Sequence, residues 1–153
     1  MAKPISLILE SSSGGTFSFD EHRGMPSLVI YESLENSKLN AWVREHARTW
    51  VKSNPELMTR VRLQIVVDLA GAPAPMRGMV KATASGMVAP FGIKEILFDW
   101  DQSARLAFGL PPKTRDPIYA LLDANNCVAW GRHGKLEQQH WEEMLTKLNA
   151  LLA

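Results

Sequence analysis

The stretch Ser27–Lys38, SLVIYESLENSK, decides the fold. Leu28 to Tyr31 is a short apolar run, of the kind carried by a strand buried on both faces, in a strand read as Ser27–Tyr31. The chain then turns polar from Glu32 to Lys38. Beyond it, Leu39, Trp42, Val43, Ala47, Trp50 and Val51 recur at the spacing of one helix face. The spacing predicts a helix from about Ser37 to Lys52, capped by Asn36 or Ser37 and stopped at Asn54–Pro55. In open α/β sheets, the loop that leaves a central strand for its helix is the usual seat of chemistry. Here that loop holds neither Cys nor His.

Upstream, Ile5–Leu9 and Thr16–Asp20 are strand candidates joined by the turn cluster Ser11–Gly15, a β-hairpin before the main sheet. His22–Pro26 turns the chain into the buried strand. Downstream, Val61–Leu69 passes from alternation to a continuous apolar run, which predicts a second central strand. Met76–Val88 is a weaker helix stopped by Ala89–Pro90, and Lys94–Phe98 is a short strand. Gln102–Phe108 suggests one or two helical turns closed by Gly109 and Pro111–Pro112. Ile118–Leu122 is another buried strand, paired through the turn Asp123–Asn126 with Cys127–Trp130. A final helix, about Glu137–Leu151, carries Trp141, Met144, Leu145 and Leu148 on one face. The class is α/β: parallel βαβ units first, an antiparallel hairpin and helix last, with crossovers that allow helices on both faces of a mixed sheet.

With 153 residues the chain is one domain, 1–153, in which 1–26 form an N-terminal hairpin extension and 27–153 the core. Its 17 basic and 16 acidic residues form no run of one sign, which speaks against nucleic acid or an anionic membrane as a partner. A single cysteine, Cys127, excludes an intramolecular disulfide, a dithiol pair and a clustered-Cys metal site. The apolar piece Ile5–Leu9 is too short for a signal peptide or a membrane span, so the expectation is a soluble, cytoplasmic protein. No cofactor and no metal are expected.

The order of elements, with two local phrases, resembles the thioredoxin fold, in the branch of peroxiredoxins and thiol–disulfide reductases. The phrase TFSFDEHRGMPSLVIYES, with Arg23–Pro26 as its Gly/Pro turn, is similar to the lead into that branch's active site. A second phrase runs from Phe98 to Leu136, with Asp99, Phe108–Gly109–Leu110, Pro117, Leu122–Asp123 and Gly131 in matching places. The resemblance implies a thioredoxin-like three-layer sandwich and a cis-proline at Asp116–Pro117 facing the active-site loop. It also implies Cys-x-x-Cys or a peroxidatic Cys in that loop. The sequence departs here: Glu35 and Lys38 fall on the two thiol positions, and slips by one residue offer Leu34 and Ser37 or Asn36 and Leu39. No register supplies a thiol, so thiol chemistry in the loop is ruled out.

The implied function is a redox-inactive binding or chaperone-type module that keeps the former groove for a protein or peptide. Its surface would be Ser33, Leu34, Glu35, Asn36, Ser37, Lys38, Asp116 and Pro117. A second reading is a thiol-independent enzyme with Glu35 and Lys38 as an acid–base or anion-recognising pair; the plainer reading, which the residues favour, is a helix-terminal carboxylate and a solvated lysine. A third is a single-cysteine oxidoreductase or peroxidase using Cys127, which otherwise is a small buried hydrophobe. His46 falls on the first helix stripe, as a core-edge histidine with a hydrogen-bond partner. Asp99 and Asp101 flank Trp100 without further acidic ligands, and His133 and His140 lie seven apart, neither arrangement suiting a metal.

Overall fold

The computed structural model describes residues 3–89, 95–110 and 116–153. Its strands are β1 (Ile8–Ser11), β2 (Thr16–Ser18), β3 (Ser27–Ser33), β4 (Arg62–Asp68), β5 (Ile96–Asp99), β6 (Ile118–Leu122) and β7 (Val128–His133). Its helices are α1 (Ala41–Ser53), α2 (Arg77–Val88), α3 (Ser103–Ala107) and α4 (Gln138–Leu152). The strands form one mixed sheet in the order β2-β1-β5-β4-β3-β6-β7. β3, β4 and β5 run parallel, and β6 pairs antiparallel with β3. The α/β architecture with a mixed central sheet is the one the sequence predicts.

All seven residues of β3 are buried, as a strand with covered faces requires. Its side chains alternate between two cores. Leu28 and Ile30 join Val43 and Ala47 of α1, Ala84 of α2, and Trp141, Met144 and Leu148 of α4. Val29 and Tyr31 face the other way, against Ala104 of α3 and the N-terminal residues Ile5 and Leu7. Three helices therefore cover one face, and one short helix with the N-terminal segment covers the other. The tryptophans sit in or against the first core, Trp141 within it and Trp42, Trp50, Trp100 and Trp130 packed on its edge.

Several boundaries move. Ile5–Leu7 precede β1 rather than belonging to it: the Ile5 N–H goes to the Asn126 carbonyl and the Leu7 carbonyl accepts from Phe19. The hairpin also adds to the main sheet, with β1 antiparallel to β5. The largest shift is at the first helix, which begins at Ala41 and not near Ser37. Ser33 and Asn36 explain it. The Ser33 N–H donates to Asn36 Oδ1 (2.8 Å) and the Asn36 N–H to Ser33 Oγ (3.1 Å). These side chains supply the backbone with partners that a helix would otherwise provide, and so hold residues 34–40 in turns. The Pro90 stop of α2, Lys94 at the head of β5, and Pro111–Pro112 lie outside the described residues. Among the described residues there is no cis peptide bond, so Asp116–Pro117 is trans and the expected cis-proline is corrected.

Candidate functional site

The sheet has two ends, and the predicted residues divide between them. At one end β3 runs into the loop 34–40 and β4 into 69–73. Ile118 of β6 lies opposite Tyr31, which brings Asp116–Pro117 to this same end. Ser33 and Ser37 are buried there, Leu34 and Asn36 are half-buried, and Glu35 and Lys38 are exposed. Because α1 starts at Ala41, Glu35 and Lys38 lie outside its first turn, where the helix dipole acts. A cleft of about 250 Å³ opens between the two loops, lined by Ser33, Leu34, Glu35, Asp68 and Val80. Asp116 is half exposed, with His133 Nδ1 at 3.2 Å from its carboxylate.

Beneath this end lie two buried polar clusters that sequence reasoning missed. On the α1 face Glu32 is held by Arg44 (2.6 Å) and by the Tyr119 hydroxyl (2.5 Å). Asn40 ties the cluster down, donating to Tyr119 Oη (3.0 Å) and the Gly134 carbonyl (2.9 Å) and accepting from the Leu136 N–H (2.9 Å). Burial raises the Glu32 carboxyl above its ordinary value, opposed by the Tyr119 hydrogen bond and by Arg44. Burial and the adjacent Glu32 raise the Tyr119 phenol too.

On the α3 face Tyr31 Oη donates to Asp99 Oδ2 (2.7 Å), which also accepts the Ala104 N–H (3.2 Å), while Ser103 Oγ donates to Oδ1 (3.1 Å). Next to it Arg105 pairs with Asp68 at 3.3 Å, both side chains without solvent exposure. Arg105 also donates to the Asp116 carbonyl (2.9 Å) and lies 5.1 Å over the Tyr31 ring. Burial raises Asp99, against the pull of its hydrogen bonds, and burial with the Asp99 charge raises Tyr31. Asp99 is thus committed inward and Asp101 to the Ser103 N–H (3.1 Å). Among the described residues no three His, Cys, Asp or Glu side chains gather in a way that would hold a metal.

The one thiol is at the other end. Leu122 lies opposite Ser27, so the turn after β6 sits where β3 begins. β6 is five residues long, about 17 Å at ~3.4 Å per residue, and that length separates Cys127 from the loop 34–40. Cys127 is half-buried. Its N–H donates to Asp123 Oδ1 (2.9 Å) and its carbonyl accepts the Asp123 N–H (2.8 Å), which fixes the turn. Asn126, with φ +63°, takes the left-handed position expected of this turn chemistry. His46 donates from Nδ1 to the Trp42 carbonyl (2.9 Å) and packs edge-on to Trp42 and Trp141. His140 accepts the Glu137 N–H at the head of α4, far from His133 in role.

No family model matches the sequence, and no curated protein matches it. Solved structures do match. The chain is similar to MTB dsbF, at 19% identity and TM-score 0.68, with 96% of each chain covered. It is also similar to a secreted Mycobacterium tuberculosis disulfide oxidoreductase homologous to E. coli DsbE, at 13% identity and TM-score 0.66, over 95% of this chain and 96% of that one. A secreted thiol-disulfide isomerase from Corynebacterium glutamicum reaches TM-score 0.72 at 9% identity, over 97% of this chain and 84% of that one. These neighbours correct the expectation of a redox-inactive binding or chaperone-type module: they are thiol–disulfide oxidoreductases, and this chain has a single cysteine, Cys127. The chain has the thioredoxin-like fold over nearly its whole length.

Proposed function

We propose that the protein takes part in thiol–disulfide exchange as a one-thiol protein, with Cys127 as the reacting group. The observation that carries this reading is the likeness, over 95% of the chain or more, to solved structures that include a thiol:disulfide interchange protein and a disulfide oxidoreductase. The loop 32–38 stands where those relatives are expected to keep their cysteines, and it has none. Redox work therefore falls to the half-buried thiol of the turn after β6.

The chemistry is limited by that count. The Cys127 thiolate attacks one sulfur of a disulfide, a new S–S bond forms to Cys127, and the other sulfur leaves as thiolate. No second thiol of the same chain can displace the bound half, so an outside thiol resolves the mixed disulfide. The turn supports the role by holding the Cys127 backbone between two hydrogen bonds to Asp123.

Incubation of the folded protein with oxidised glutathione tests this by intact mass. One glutathionyl group per chain, removed by dithiothreitol and absent from Cys127→Ser, is the expected result. A thiol that reacts only after the protein is unfolded would overturn the reading.

A further inference from the structure

A cavity of about 590 Å³ opens beside the first half of β4, within the size range of small-molecule sites. Its lining comes from both faces of the sheet. Ile65 and Val67 of β4 point into the core under α1, and Val66 into the opposite core with Phe17. By the alternation of a strand, Arg62 and Gln64 share the face of Val66 and Phe17. Glu95 joins them there. It directly precedes β5, has the parity of Leu97 in that same core, and accepts the hydroxyls of Ser11 and Ser13. His22 adds to this face of the lining, stacked on Phe17 at 4.0 Å between ring centres.

The charges of the lining answer one another. Burial disfavours the charge of Arg62 and Glu95 supports it, while the guanidinium also donates to the His22 carbonyl (2.7 Å). Arg44 and Arg48, on the α1 side, face Glu32 at 2.6 Å and Glu45 at 3.8 Å. Gln64 is different. It is 5% exposed, yet its side-chain carboxamide forms no hydrogen bond among the described residues. An acceptor and a donor therefore stand together, without a protein partner, at the wall of a cavity. Native structures satisfy such buried groups, from protein, water or ligand.

We propose that this cavity binds a small, neutral aromatic carboxamide on Gln64. The ligand's N–H donates to Gln64 Oε1, and its carbonyl accepts from Gln64 Nε2, two antiparallel bonds that close one ring. That pairing requires a donor and an acceptor side by side on the ligand, as a primary carboxamide has. The Phe17–His22 stack supplies an aromatic wall for the flat ring. Neutrality follows from Arg62 and Glu95, since a net charge of either sign on the ligand would be opposed by one of them.

Titration of nicotinamide into the nitrogen-15-labelled protein, followed by amide chemical shifts, tests the proposal. The expected result is saturable binding of one molecule per chain, with the Gln64 side-chain NH2 signal among those that move. Nicotinate, which is anionic, and N,N-dimethylnicotinamide, which has no donor, are each expected to bind about tenfold or more weakly. Gln64→Met keeps the side-chain length and removes both polar groups. It is expected to abolish binding without lowering the thermal transition, because no protein group loses a partner. The proposal is overturned by the absence of a saturable shift with nicotinamide, or by N,N-dimethylnicotinamide or nicotinate binding as tightly. Gln64→Met binding like the native chain, or melting well below it, would overturn it as well.

Discussion

Where β3 and β4 run out, the sheet buries Glu32, Asp68, Asp99 and Arg105; where β3 begins, it holds Cys127 in a tight turn. The first end has the ionisable groups and no thiol. The second has the thiol, in a turn closed by Asp123. In a thioredoxin-like fold whose solved neighbours are oxidoreductases, the two features are separated by the length of a strand. The difference teaches that the polar end acts as structure. Its charges are spent on one another: Arg105 on Asp68, Arg44 on Glu32, and the Tyr31 hydroxyl on Asp99.

If the polar end is structural, damage there is read in stability and not in thiol chemistry. The largest loss is expected for Asp68→Ala, which removes the carboxylate of a fully buried pair; chemical denaturation should show about 3–5 kcal/mol. Tyr31→Phe takes one donor from the buried Asp99 carboxylate and should cost about 1–3 kcal/mol in the same measurement. In both variants the reactivity of Cys127 in the folded state is expected to match that of the native chain, and a parallel loss would break the division between the ends.

A third prediction is in pH. The Glu32 carboxyl is raised in the folded state above its ordinary value of 4.5, chiefly by burial. Between the two values the folded protein binds more protons than the unfolded chain, so this group's contribution falls as pH rises through that window and is most favourable below 4.5. Glu32→Gln should therefore lose less stability than the native chain over the same rise. An identical slope would remove Glu32 from the account. The smallest effects are expected at Glu35 and Lys38: Glu35→Gln and Lys38→Gln change two exposed side chains ahead of α1, and stability should move by no more than about 0.5 kcal/mol.

Much of this architecture was legible in the sequence. Ser27–Tyr31, Val61–Leu69 and Ile118–Leu122 are apolar runs bounded by turn residues, and each holds a strand of the sheet. The start of α1 was not legible, because the Ser33–Asn36 pair competes with the helix through side-chain bonds that periodicity does not register. The buried clusters were hidden by distance along the chain. Glu32 meets Tyr119 across 87 positions, and Arg105 meets Asp68 across 37. One signal was available: Asp68 and Asp99 each close an apolar strand, and the parallel register sets them side by side. The site expectation leaned instead on Glu35 and Lys38, which the loop turns to solvent.

The most direct test is the rate of disulfide turnover by the native chain and by Cys127→Ser, with a mixed glutathione disulfide as substrate and reduced glutathione as the resolving thiol. The account predicts turnover above the uncatalysed rate that falls to that rate in Cys127→Ser while the fold and its stability persist. Turnover that survives the loss of Cys127, or a native chain no faster than glutathione alone, would contradict it.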